Sequence, residues 1–389
     1  MPSFVDYAAA STVLNPSTTS GGRGRGLAVG DLDGDGDLDI LLGGSDLNVL
    51  INDGIAGFTA GTVVAGSGLF YADTEGTSST PAGMFGRIEQ NMCGGGNGAG
   101  GGRIALGDAD GDGDLDAALI GTSGVFLLLN DGSASFTNHG GGSDRLTGAD
   151  GSVPPLLDNG CLEWADVDGD SDLDLVYVHQ YQQGDGFAST DSFHGIYVAL
   201  NDGSGSFAWV DKTPSYQDTN DNTVTAIPFM KEDADRQVGM AIADIDLDGD
   251  VDVLAAEVIL VNDGTGTLTM QRDDEIRAAK DDGIIMTVLM GDLDSDGYPD
   301  AVILRRACVS CAVEGLSAVY RNKGEGVTAK GAFTRVVGSV VGAIQADAMG
   351  GTLGDYDGDG YRAAAPTLNC SALPPFLCSC RSFALCYEQ

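Results

Sequence analysis

Asp31, Asp33, Asp35, Asp37 and Asp39 occupy alternate positions of one nine-residue segment, Asp-Leu-Asp-Gly-Asp-Gly-Asp-Leu-Asp. Carboxylates packed this closely along a chain repel one another unless a cation sits among them. Oxygens offered by alternate residues of a curled loop suit a hard divalent cation, and calcium takes roughly six to eight of them. Counting the segment from one to nine, the expected ligands are the carboxylates of Asp31, Asp33 and Asp35, the backbone carbonyl of Asp37 at position seven, and the carboxylate of Asp39. Gly36 at position six allows the sharp turn.

The same segment recurs. Asp108, Asp110, Asp112, Asp114 and Asp116 repeat it around Gly113, and Asp244, Asp246, Asp248, Asp250 and Asp252 repeat it around Gly249. Asp292, Asp294, Asp296, Tyr298 and Asp300 do so around Gly297, with the position-seven carbonyl now that of Tyr298. Asp166, Asp168, Asp170, Asp172 and Asp174 keep the acids but place Ser171 at position six, which predicts a bound but more strained site. In the last copy Asp355, Asp357 and Asp359 remain while Ala363 stands at position nine, so binding there should be weak or lost. The expectation is therefore about five calcium ions, with a sixth site impaired. A single acidic loop reads equally well as a solvated turn; five repetitions at matched boundaries do not. An EF-hand would place glutamate at position twelve, where this chain has Leu42, Leu119, Tyr177, Ala255 and Ile303.

Successive loops start 77, 58, 78, 48 and 63 residues apart, which is one supersecondary unit plus variable connections. Before each loop runs a short apolar stretch such as Gly26-Leu-Ala-Val-Gly30 or Arg103-Ile-Ala-Leu-Gly107. A second apolar run follows the loop, as in Ala117-Ala-Leu-Ile120. A third leads into Asn52-Asp-Gly54, Asn130-Asp-Gly132, Asn201-Asp-Gly203 or Asn262-Asp-Gly264, residues that tolerate the positive φ of tight hairpins. A fourth strand is expected from Phe58, Phe136, Phe207 or Leu268, and in the looser fifth copy from Phe333 after Asn322-Lys-Gly324. Four short antiparallel strands per unit without helical periodicity predict an all-β propeller of about six four-stranded blades, with seven as the alternative count. The sixth unit has no recognisable turn, and its last strand is expected from Phe4-Val-Asp at the other chain end.

The 389 residues carry a formal net charge of -39 and 60 glycines, most of the excess lying inside the loops themselves. Such a charge argues against nucleic acid and anionic membrane as partners. No apolar run is long enough to span a bilayer, so direct membrane insertion is not expected. The start, Met1-Pro-Ser-Phe-Val-Asp-Tyr7, shows no signal peptide; the weak affinity of such loops suits extracellular calcium, so the numbered chain is expected to lack the start of a secreted or cell-surface protein. Eight cysteines suit disulfides whose pairing cannot be deduced, and Cys308-Val-Ser-Cys311 reads as a local disulfide or two thiols. From residue 362 the composition changes: four cysteines and a single acid, Glu388. Residues 1–361 are read as the propeller, and 362–389 as a small cap or the product of a shifted reading frame.

The pattern Asp-x-Asp-Gly-Asp-Gly-Asp-Leu-Asp, followed by Asn-Asp-Gly and an aromatic, resembles the FG-GAP and VCBS repeats of integrin-α-like propellers over nearly all of residues 1–361. The resemblance implies calcium as scaffold, held away from the ligand face. It leaves activity open, because such propellers include adhesion heads, lectins, matrix proteins and polysaccharide lyases. Long segments at 59–102, 137–160, 179–195 and 211–237 are the candidate recognition surfaces, the third carrying His179, Tyr181, Phe187, Phe193 and His194. No nucleophile or zinc-protease motif accompanies the three histidines, so no catalytic residue is assigned. The expected function is an extracellular recognition or adhesion module for a protein or glycan, with a polysaccharide-active enzyme or a structural matrix protein as alternatives.

Overall fold

The computed structural model describes residues 26–43, 48–55, 57–63, 104–121, 124–140, 146–153, 160–180, 194–213, 215–217, 223–225, 239–255, 258–273, 275–276, 284–306, 317–324, 331–336, 348–354 and 363–368. They form antiparallel sheets in chain order. The first sheet holds β1 (Gly26–Gly30), β2 (Asp39–Gly43), β3 (Asn48–Asn52) and β4 (Phe58–Ala60). The second holds β6 (Ile104–Gly107), β7 (Asp116–Gly121), β8 (Gly124–Asn130) and β9 (Ser135–Asn138), joined at its edge by β5 (Thr62–Val63). The third consists of β10 (Gly160–Ala165), β11 (Asp174–Gln180), β12 (His194–Asn201) and β13 (Phe207–Asp211). A small hairpin, β14 (Ser215–Gln217) and β15 (Thr223–Thr225), precedes the fourth sheet of β16 (Met240–Ala243), β17 (Asp252–Ala255), β18 (Val258–Val261) and β19 (Thr269–Arg272). The fifth contains β20 (Ile284–Gly291), β21 (Asp300–Arg306), β22 (Ala318–Asn322) and β23 (Phe333–Arg335), and the pair β24 (Ala348–Gly354) and β25 (Ala363–Leu368) follows.

The expected four-strand unit thus occurs five times, with fourth strands beginning within one residue of the predicted starts. One strand was not foreseen. After Gly61, β5 leaves the first sheet and pairs in parallel with β9, Thr62 opposite Ser135 and Val63 opposite Phe136. It straps the first sheet to the second.

The first strands lie side by side along the series, β1 against β6, then β10, β16, β20 and β24. Cores form between neighbouring sheets. Ala28, Leu41 and Val49 meet Leu106, Leu119 and Phe126 between the first and second. Ala118, Ile120 and Leu127 meet Leu162, Tyr177 and Trp209 between the second and third. A larger cluster joins the third, fourth and fifth sheets through Val176, Val198, Leu254, Ile259, Ile303 and Tyr320. An inner sheet is therefore covered on both faces, which is why Ala117-Ala118-Leu119-Ile120 is fully buried and reads as a continuous apolar run rather than an alternating one.

The last hairpin keeps the register of the others. Gly354 pairs with Ala363 as Gly30 pairs with Asp39, Gly107 with Asp116, Ala165 with Asp174, Ala243 with Asp252 and Gly291 with Asp300. Ala363 takes the structural place of the ninth loop residue, and the strand it opens runs into the segment of altered composition. Asp355, Asp357, Asp359, the Phe4 strand and the rest of the cysteine-rich tail lie outside the described residues. Cys161, buried in β10, is disulfide-bonded.

Candidate metal centres

Each acidic loop is clamped at both ends by β pairing and inside by its own carboxylates. The position-two side chain plugs into the core: Leu32, Ala109, Val167, Ile245 and Leu293 are all buried. Position one then curls the chain around itself. Asp31 Oδ1 accepts the N–H groups of Gly34 at 2.8 Å and Asp35 at 3.1 Å, and its Oδ2 accepts that of Gly36 at 3.0 Å. Asp108 makes the same three bonds to Gly111, Asp112 and Gly113. Position five caps the next turn, as where Asp112 Oδ1 accepts the Asp114 N–H at 3.0 Å.

Two positions per loop need left-handed backbone. Position six has φ between 78° and 101° in all five copies, including Ser171 at 78°. The strain expected at Ser171 is present in the geometry. Position four also has positive φ throughout, at Gly34, Gly111, Gly169, Leu247 and Ser295. Sequence reading missed this second demand, although glycine at position four in three copies was the available signal.

The position-nine aspartate opens the second strand and is fully buried or nearly so in every copy. Its Oδ2 accepts the position-two N–H, from Leu32, Ala109, Val167, Ile245 and Leu293, at 2.8–3.2 Å. Its Oδ1 accepts the N–H of the asparagine ending the third strand: Asn52, Asn130, Asn201, Asn262 and Asn322, at 2.7–2.9 Å. The carboxylate thus staples the loop to the Asn-Asp-Gly turn. Burial pushes Asp116, Asp174 and Asp252 up to about 6 and Asp300 to about 7, opposed by those N–H bonds and reinforced by the position-three and position-five charges. Asp33, Asp110, Asp168 and Asp294 are raised too, by burial first and then by neighbouring aspartates.

The structure gathers positions one, three and nine. In Asp31, Asp33 and Asp39, in Asp108, Asp110 and Asp116, in Asp166, Asp168 and Asp174, in Asp244, Asp246 and Asp252, and in Asp292, Asp294 and Asp300, one oxygen from each residue lies within 4.8 Å of the others. The position-five residues Asp35, Asp112, Asp170, Asp248 and Asp296 fall outside this inner set. The position-seven side chains point elsewhere: Asp37, Asp114, Asp172, Asp250 and Tyr298 lie over Gly54, Gly132, Gly203, Gly264 and Gly324, where a Cβ would collide with them. A ligand from position seven would then be its backbone carbonyl. The residues fit a cation on a further ground: Oδ1 of Asp110, Asp168 and Asp294 is buried without a hydrogen-bond partner. Buried carboxylate oxygens are costly unless something satisfies them. An all-oxygen donor set favours calcium over softer metals.

The turn asparagine has a role that sequence reading did not assign. Besides its bond to position nine, its side-chain amide crosses to the preceding sheet. Asn130 Nδ2 donates to Leu32 O at 2.8 Å, Asn201 to Ala109 O at 2.8 Å, Asn262 to Val167 O at 2.7 Å and Asn322 to Ile245 O at 2.9 Å. Every acceptor is the position-two carbonyl of the neighbouring loop. The five loops and turns therefore form one linked rim.

The antiparallel strand order places all of these on a single edge of the sheets. Connections between second and third strands, and between a fourth strand and the next unit, leave from the opposite edge. The stretches 64–103, 181–193 and 226–238 connect described residues on that side, whereas 146–153 run back along β13, the Ala149 N–H donating to Phe207 O at 2.8 Å and Trp209 Nε1 to Leu146 O at 3.2 Å. His179 and His194 sit in the final pairs of β11 and β12, opposite Gly195 and Gln180. Tyr181, Phe187 and Phe193 lie outside the described residues.

No family profile and no curated protein matches the chain. Among solved structures, the V. cholerae biofilm matrix protein Bap1 aligns over 88% of this chain and 74% of that one, with 11% identity and a TM-score of 0.35. No helix among the described residues is long and apolar enough to cross a membrane.

Proposed function

We propose that the protein is a calcium-stabilised β-propeller of the FG-GAP/VCBS type, acting outside the cell as a recognition module for a protein or glycan partner. The observation that carries this reading is the segregation of the two edges. One edge holds five carboxylate triads locked into a hydrogen-bonded rim, and most of the long variable segments join strand ends on the other. Metal on the first edge rigidifies the sheets so that the second can present a surface. The ligands at each site would be the carboxylates at positions one, three and nine with the position-seven carbonyl, and position five completing the shell. Bound calcium would supply the positive charge that the buried oxygens of Asp110, Asp168 and Asp294 lack. The disulfide at Cys161 agrees with an oxidising compartment.

Six blades follow if the β24–β25 hairpin, which shares the common register, is the inner half of a sixth. In a closed ring, Asn52 would reach the position-two carbonyl of the sixth loop, that of Tyr356. Asn52 Nδ2 donates to its own Leu38 O at 3.2 Å and, among the described residues, to no neighbouring loop.

Calorimetric titration of metal-stripped protein is expected to show about five calcium ions bound. Thermal stability is expected to drop on chelation, since a site at hundredfold saturation contributes about 2.7 kcal/mol. No heat and no change in melting would sink the metal assignment. A glycan array and an extracellular-protein pull-down on the calcium-loaded chain are expected to find capture without turnover. Release of product from a polysaccharide would move the reading to an enzyme.

A further inference from the structure

The fifth loop differs from the other four in its charge. Tyr298 at position seven leaves it four carboxylates where each of the others has five. An arginine also enters it. Arg321, the residue before the turn asparagine, places Nε 2.5 Å from Asp294 Oδ2 and Nη2 3.2 Å from Asp296 Oδ2. The corresponding residues of the other sheets are Ile51, Leu129, Leu200 and Val261. Arg321 thus engages the carboxylates at positions three and five, two of the groups a metal would draw on, while Asp294 Oδ1 stays buried without a hydrogen-bond partner.

Resting on the calcium reading above, we propose that Arg321 is a built-in counter-cation that makes the fifth loop the weakest of the five calcium sites and the one that keeps its shape without metal. Affinity in oxygen-ligand loops rises with the number of negative charges presented to the ion. The ligating carboxylates are equal in number in all five loops, but the fifth lacks the further position-seven charge that the other four hold beside the site. It alone of these sheets has an arginine before the turn asparagine, a fixed positive charge that the ion must share carboxylates with. The same contact offsets, in the metal-free protein, the repulsion that opens an acidic loop. A series of equal sites fills and empties together; this series has a member that empties first as calcium falls, while its sheet stays in place.

Tyr298 makes the fifth loop separately observable. It is the sole aromatic residue within the five nine-residue loops. Terbium, a hard oxygen-seeking cation that substitutes for calcium, emits when excited through an adjacent tyrosine. The part of that emission lost in Tyr298→Phe therefore reports this site in the full-length chain. Its midpoint is expected at a higher terbium concentration than the mean of the sites seen by calorimetry. In Arg321→Leu, which installs the residue already present at positions 129 and 200, the midpoint should fall by about threefold to tenfold, as for one partly screened charge. Arg321→Lys, which keeps the charge, should stay within about twofold of the parent. Melting in chelator should drop for Arg321→Leu and not for Arg321→Lys; Arg321→Gln serves as the neutral variant if leucine impairs folding. An unchanged or raised midpoint in the neutral variants overturns the proposal while leaving the calcium sites intact. Absence of terbium and calcium binding in every protein, parent included, overturns the metal reading beneath it.

Discussion

Ser171 and Leu247 both hold a backbone that glycine holds in sister loops, with φ of 78° and 56°. A side chain in the left-handed region costs roughly 1–2 kcal/mol, and the greater freedom of glycine in the unfolded chain returns part of that. Leu247 is 46% exposed, so little packing is lost with it. Ser171→Gly and Leu247→Gly are each expected to stabilise the calcium-loaded protein by about 0.5 kcal/mol, read as a raised melting temperature; a fall for both would contradict the strain argument. The buried position-nine acids give a second expectation. Asp116, Asp174, Asp252 and Asp300 titrate at about 6 to about 7 in the folded chain, against 3.8 for a free carboxyl. The folded metal-free protein therefore binds more protons than the unfolded one across that window. Its stability is highest below the unfolded value and is lost as pH rises through the folded ones. Melting temperature in chelator is expected to fall from about pH 4 to about pH 7, whereas saturating calcium, which needs the ionised form, should remove or reverse the slope. At this scale the sequence was readable where a residue type is forced, as at Gly36 or Gly113. It was unreadable where Leu247 and Ser295 mask the same demand at position four.

The asparagine brace belongs to the element. Asn-Asp-Gly was legible as a hairpin turn because the three residues share a local preference for positive φ. The cross-sheet bond was not, because its acceptor lies in another unit: Asn201 and Ala109 are 92 residues apart. Nothing local to the turn distinguishes an amide that reaches a neighbour from one facing water. The parallel strap β5 escaped notice for a related reason, a two-residue strand having no period to detect. Asn201 is 6% exposed and donates from Nδ2 to Ala109 O and Leu173 O. Asn201→Ala leaves the buried Ala109 carbonyl and the partly buried Leu173 carbonyl without that donor, and a loss of about 2–3 kcal/mol is expected by denaturant unfolding with calcium present. Asp202→Ala, one residue on and exposed, removes only bonds local to the turn and should cost less than about 1 kcal/mol, so equal losses would deny the brace its role.

For the whole molecule, the asparagine linkage bears on how the first sheet meets the last. The linkage runs from each turn back to the preceding loop, so the first turn is the one whose predecessor must come from the far end of the chain. Leu38 and Ile55 on this rim are 61% and 86% exposed, whereas Leu115 and Leu173, equivalent to Leu38, are partly covered. A ring closed by the sixth hairpin would cover that side and give Asn52 the acceptor its counterparts have. Asn52→Ala then removes the same two kinds of bond as Asn201→Ala. The two variants are expected to lose similar stability, about 2–3 kcal/mol each, in the full-length calcium-loaded protein. If the sheets instead form an open arc, Asn52→Ala deletes only exposed bonds local to the turn, to Leu38 O and from the Gly54 N–H, and costs under about 1 kcal/mol. The comparison isolates closure because both substitutions are of the same chemistry at the same turn position, and they differ only in whether a neighbour stands behind it.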